Sequence, residues 1–166
     1  MVMKYKWHGC LEPAPRLQRR NRIFVKKTNK TMRKFLIALT LFIAVGAMAG
    51  AIMMWVDPSG MGWGGAALLE MLRAKMPWPE VLFKDFIPSG FALLAVNGLT
   101  QFLAALMLFK KHRLAPWAVI ACGVILMLWI VLEWWIFGFN ALSNIYFVFG
   151  LLEAVAGAVW MKKMRE

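Results

Sequence analysis

The sequence predicts an all-α protein: a multi-pass transmembrane four-helix bundle with a short amphipathic helix in the outer loop. Three observations predict it. First, the 166 residues are 61% hydrophobic, against roughly 45–50% for a soluble domain, and a water-soluble globule of this size could not cover so much apolar surface. Second, four apolar runs stand at about 35–56, 86–109, 117–139 and 141–161, each close to the roughly 20 residues that cross a bilayer as a helix. Third, the basic residues gather at alternate ends of those runs. Helices satisfy their own backbone groups, as lipid demands, whereas the short alternating strands of a membrane barrel are not visible.

Residues 1–34 hold eleven of the twenty Lys/Arg and a single acid, Glu12. A basic tail on an apolar body suggests a membrane surface, with anionic lipid headgroups as its partner. No RNA- or DNA-binding module accompanies the bases, so nucleic acid is not expected as a partner. The tail is expected to be cytoplasmic and disordered. From Met32 the chain reads MRKFLIALTLFIAVGAMAG, which also has the form of a signal peptide with Ala47-Met48-Ala49 as its A-x-A site. The apolar run continues through AIMMWV to spanning length, so helix 1 (35–56) is expected to stay uncleaved. Residues 1–31 then read as an extension upstream of an alternative start at Met32.

After helix 1 comes the one sizeable loop, residues 57–85. It opens on DPSGMGWGG, rich in turn formers, and continues AALLEMLRAKM, where Leu68, Leu69, Leu72 and Met76 fall on one helical face. A short amphipathic helix is expected there. Asp85 is placed to cap helix 2, with Pro88 in its first turn, where a missing N–H costs little. Helices 3 and 4 are joined by only a few residues and should form an antiparallel hairpin; residues 162–166 form a short basic tail.

Orientation follows from the bases. The first tail, Lys110–Arg113 and the residues after helix 4 together hold seventeen Lys/Arg, and the other side holds Arg73, Lys75 and Lys84. The positive-inside rule puts both termini in the cytoplasm and the chain in the cell membrane. Trp55, Trp117, Trp134, Trp135 and Trp160 mark helix ends, as an aromatic belt would.

No Walker loop, HExxH, GxSxG or dinucleotide glycine pattern is present, so no catalytic, cofactor-binding or metal-ligating residues are assigned and no cofactor is implied. Cys10 and Cys122 lie in different environments and are not expected to pair. His8 and Cys10 alone do not make a metal site. The polar residues within the spans are therefore the whole inventory of candidates. Asn97 and Gln101, four apart on helix 2, and Glu153, midway along helix 4, form a candidate intramembrane cluster. At that depth desolvation favours a neutral Glu153 hydrogen-bonded to the Asn97/Gln101 face. Glu153 shares its face with Gly150, Ala156 and Gly157, and helix 1 carries Gly46 and Gly50; small residues allow close helix approach. Glu133, in WIVLEWWIFG, lies about six residues from the outer end of helix 3, or about 9 Å along its axis. It is a candidate outer-leaflet carboxylate facing helix neighbours or outer-side water.

The pieces DPSG after helix 1, LFKDFIPSGFALLAVNG entering helix 2, WIVLE late in helix 3 and IYFVFG opening helix 4 resemble those of a family of small bacterial four-helix integral membrane proteins of uncharacterised function. The resemblance covers about residues 35–160 and leaves out the basic tail. It implies a cytoplasmic-membrane location and a four-helix body, and it carries over no site residues. Two functions remain open. One is an accessory or interaction protein without catalysis, partnered by itself or by another membrane protein. The other is a small oligomeric transporter or proton-linked carrier using the intramembrane carboxylates. A polar cavity joining Glu153, Asn97 and outer water favours the carrier; a dry interior favours the accessory protein.

Overall fold

The computed structural model describes residues 15–76 and 83–165, and no strand occurs among them. Five helices follow in order. They are α1 (Pro15–Val56), α2 (Ala66–Lys75), α3 (Ile87–Phe109), α4 (Ala115–Phe137) and α5 (Ala141–Arg165). The segments Lys30–Val56, Ile87–Phe109, Ala115–Phe137 and Ala141–Lys163 are long and apolar enough to cross a membrane. Their outer faces leave Phe42, Val45, Phe102, Leu128, Val148 and Leu151 uncovered. Apolar surface of that extent calls for lipid as the solvent. The chain is a multi-pass, all-α membrane protein.

The helix ends differ from the sequence reading where local chemistry decides them. The tail was expected to be disordered through residue 34, yet α1 begins at Pro15. Pro15 suits a first helical position, and no Gly or Pro interrupts the chain from there until Gly46, so nothing stops the helix. Residues 1–14, with Cys10, lie outside the described residues. Helix α4 runs Ala115–Phe137 rather than 117–139 because Pro116 occupies its first turn and Gly138, at φ 77°, ends it. Only glycine takes that conformation without strain. Asn140 Oδ1 then accepts the Ser143 N–H at 2.9 Å, which starts α5. The expected tail from 162 is helical to Arg165.

The loop between α1 and α3 is built as the sequence suggests. Gly60 N–H donates to the Asp57 carbonyl at 3.1 Å, which closes a turn with Pro58 at its second position. The Asp57 carboxylate accepts from Ser59 Oγ and from Gly62 N–H, both at 2.6 Å. Those bonds, the Ser59 hydroxyl first, hold its carboxyl below the ordinary carboxylate range. On α2, Leu69 and Leu72 are buried against Phe86 and Ile136, with Leu68 and Met76 packed beside them. The predicted apolar face is thus the buried one. Arg73 donates to the carbonyls of Phe83 and Lys84, and Lys75 Nζ donates to the Trp135 carbonyl at 2.5 Å. These bonds tie α2 to the entry of α3 and to the end of α4. Asp85 Oδ1 accepts the Ile87 N–H at 2.9 Å, so it serves the first turn of α3 from the residue before the N-cap, Phe86, which itself makes no side-chain cap bond.

The four long helices close a ring. α1 packs along α3 and α5, and α4 packs along α5 and α3. At one end, here called the terminal end, Leu36, Leu108, Ala115, Val119 and Trp160 bury one another. At the other, the loop end, lies the Leu69/Leu72/Phe86/Ile136 cluster. Neighbouring helices therefore alternate in direction. Trp160, read as an interfacial marker, is only 7% exposed: its ring fills the terminal-end core, whereas Trp117 is 54% exposed. Close approach of α4 and α5 rests on glycine. A Cβ on Gly123 would stand 2.5 Å from the Gly150 carbonyl oxygen and 2.7 Å from the Ala154 nitrogen.

Candidate functional site

Helix α3 contains a six-residue π segment, Leu94–Leu99, between two α-helical stretches. Such turns insert one extra residue and often accompany functional positions. Thr100 Oγ1 donates to the Val96 carbonyl at 2.5 Å, taking up one acceptor that the regular ladder would otherwise use. Asn97 sits inside the π segment and Gln101 just beyond it. The two were expected to share one helical face. Both are buried, as a shared inward face implies, but they meet different surroundings.

Gln101 reaches α5. Its Nε2 donates to Glu153 Oε2 at 2.7 Å, and both residues are buried, Gln101 at 1% exposure and Glu153 at 0%. The Gln101 oxygen, Oε1, and the second Glu153 oxygen, Oε1, are buried without a partner. The proposed Glu153 link to helix 2 is thus made through Gln101 and not through Asn97. Nearby, Cys122 is a free, buried thiol whose Sγ lies 3.4 Å from the Thr100 carbonyl oxygen. Buried hydrogen bonds of this kind inside a membrane contribute about 0.6 kcal/mol on average, so the pair pins α3 to α5 without dominating the stability.

Asn97 is 2% exposed, and neither its Nδ2 nor its Oδ1 has a partner. A buried polar group left unpaired costs about 1–3 kcal/mol, and Asn97 leaves both atoms of its amide so. It borders a cavity of about 420 Å³ in the half of the bundle nearer the loop. Gly46, Ala47 and Gly50 of α1 form one wall, and Leu126 and Ile130 of α4 form another. Trp63 and Leu68 line it toward the loop.

Glu133 faces the same cavity. Its Oε1 accepts from Trp129 Nε1 and its Oε2 from Ser143 Oγ, each at 2.7 Å. Trp129 lies one turn back on α4 and Ser143 in the first turn of α5, so the Gly138 reversal is what brings the second donor to the carboxyl group. Both oxygens thus act as acceptors. No cation pairs with Glu133 among the described residues; the one ion pair found there joins Arg73 to Glu70. Glu133 thus faces its helix neighbours and an internal space, one of the two surroundings read from the sequence.

The sequence reading missed Trp129, Ser143 and Tyr146. Trp129 is four residues before Glu133 and could have been found by helical spacing. Ser143 needed the geometry of the hairpin. Tyr146 places its hydroxyl against Gly46, 2.5 Å from where a Cβ would stand. Among the described residues no group of three His, Cys, Asp or Glu could hold a metal ion.

Compared with protein-family models, curated proteins and solved structures, the chain matches none of them.

Proposed function

We propose that this protein is an accessory membrane protein whose four-helix body binds a small, largely apolar molecule in the loop-end half of the bundle. The cavity of about 420 Å³ carries this reading: it is mostly apolar, with a few convergent polar groups, the pattern of small-molecule sites. The carrier reading required a polar route through Glu153. Glu153 is instead closed off beside Gln101, and the terminal end is filled by Leu36, Leu108, Val119 and Trp160. Binding from one side is what this packing supports. The proposal includes a cytoplasmic membrane of a bacterium, both termini in the cytoplasm, and the basic tail on anionic lipid, on the strength of the distribution of bases and the resemblance in DPSG and LFKDFIPSG.

The test uses tryptophan indole NMR of the purified full chain in lipid nanodiscs, titrated with neopentylbenzene as a neutral apolar probe. The Trp129 resonance is assigned by its loss in Trp129→Phe. It should shift saturably, while Trp117, exposed at the far end, should not. A response of both resonances in proportion reports partition into lipid, and that result, like no response of Trp129, would refute the cavity as a binding site.

A further inference from the structure

The cavity's polar equipment says more about its occupant than its size does. Glu133 is positioned by two neutral donors, Trp129 Nε1–H and Ser143 Oγ–H, one on each oxygen. These bonds fix the carboxylate and leave further lone pairs on both oxygens. They supply no positive charge. A carboxylate near the lipid phase normally finds a cation or a wet channel; here it borders an apolar space and has neither a basic side chain nor an ion pair among the described residues. Aromatic rings stand among the aliphatic walls: Trp63, Trp129, Phe137 and Tyr146 all line the space. Aromatic faces attract cations, and more strongly once water is excluded. A second, independent feature points to a ligand. The Asn97 amide, 2% exposed, has no partner for either atom and belongs to a residue that lines the same cavity.

Resting on the binding role proposed above, we infer that the natural occupant is an organic cation, an ammonium or similar head on an apolar body, with its charge against Glu133 and its body between α1 and α4. The head would complete the charge balance of the carboxylate and lie among the aromatic rings. The body would fill the Gly46/Ala47/Gly50 wall, where small residues leave room. A hydroxyl or carbonyl on that body would be met by Asn97 once its amide turns toward the space. A neutral lipid tail or detergent chain also fits an apolar cavity, but it answers neither the unpaired carboxylate nor the unpaired amide.

The experiment compares two probes of the same shape, benzyltrimethylammonium and neopentylbenzene, which differ only in whether a nitrogen cation or a carbon stands at the branch point. Both are titrated into the full chain in nanodiscs of neutral lipid, so that the bilayer does not concentrate the cation, and the Trp129 indole resonance is read. The cation should bind at least about tenfold more tightly than its neutral twin, as a charge pair beside aromatic rings implies. Glu133→Gln should abolish that difference, bringing the two probes to the same affinity as each other in the variant. The probe comparison on the unmodified protein needs no variant, so a folding defect in Glu133→Gln would not rescue the idea. Equal affinity for the two probes overturns the cation inference and leaves the binding role standing. Failure of both probes to move Trp129 overturns both.

Discussion

Placing a methyl group on Gly123 tests whether the α4–α5 hairpin is held by direct backbone contact. The Cβ of Gly123→Ala would stand 2.5 Å from the Gly150 carbonyl oxygen, 2.7 Å from the Ala154 nitrogen and 3.0 Å from Glu153 Cβ. The first two neighbours are backbone atoms of a continuous helix and cannot turn aside as a side-chain tip can. The helices must part by several tenths of an ångström along this seam. A gap of 0.5–1 Å forfeits roughly a quarter to a half of each dispersion contact, and overpacking of a tight interior costs about 1–3 kcal/mol. We place Gly123→Ala at the top of that range, about 3 kcal/mol. Gly46→Ala is the control. Its Cβ meets the Tyr146 hydroxyl at 2.5 Å, but the rest of that ring lies at 3.6 Å or more, and a tyrosine tip can swing into the adjoining cavity. Its cost should stay near 1 kcal/mol, the bottom of the same range. Reversible unfolding in mixed micelles, followed by tryptophan fluorescence, measures both. If Gly123→Ala proves as stable as the parent, or less damaging than Gly46→Ala, the close hairpin contact is wrong.

Four further outcomes follow from the same structure. Glu153→Gln keeps an acceptor for Gln101 Nε2 and should lower stability by no more than about 1 kcal/mol, whereas Glu153→Leu strands the buried Gln101 amide at about 1–3 kcal/mol; equal unfolding midpoints for the two variants would contradict the pairing. Asp57, with its carboxyl held below the ordinary value, stabilises the Asp57–Gly62 turn fully above about pH 3.9. That contribution is lost as pH falls through the lowered value, and Asp57→Asn should remove this acid dependence from amide exchange at Gly62; an unchanged profile would argue against the turn. Reporter fusions after Glu166 and within Lys110–Arg113 should read cytoplasmic and one at Gly62 external, and a cytoplasmic signal at Gly62 would sink the orientation. Deletion of residues 1–31 should leave membrane insertion intact, since the apolar run of the first span lies beyond it; loss of integration would disprove this.

The four spans were legible because crossing a bilayer asks only for length and composition, and both are written openly in runs such as Phe35–Val56. The buried face of α2 was legible for a similar reason, since Leu69 and Leu72 repeat at helical spacing. The start of α1 was not, because charge density suggested a loose tail while the absence of any Gly or Pro between Pro15 and Gly46 left helix as the default. A hydrogen bond from Glu153 to the Asn97/Gln101 face could be proposed from the matching depths of Asn97 and Glu153 along two spans that run the same way. Which of the two amides makes it could not, because residues one turn apart on a face differ only in what stands opposite each. The cavity was hidden for a physical reason too. Small residues at 46 and 50 read as a close-packing face, and whether such a face meets a neighbour or leaves a space depends on the opposite wall. Gly50 does meet Leu93, yet with Gly46 it also borders the open volume.

The π segment of α3 also gives this helix one place where its length is forgiving. It holds one residue more than a regular helix would need, and the wide turn takes up that residue's rotation. Removing a single residue from Leu94–Leu99 would mend the hydrogen-bond ladder and leave the two flanks in phase. Gly90, which lets the Trp55 indole nitrogen approach to 2.7 Å from where a Cβ would sit, would still face α1, and Phe86 would keep the cluster it shares with Leu69 and Leu72. The same deletion in Thr100–Phe109 would turn everything before it by about 100° relative to everything after it. A regular helix would thus cost the bundle little here, and what it would give up is the setting of Asn97 beside the cavity.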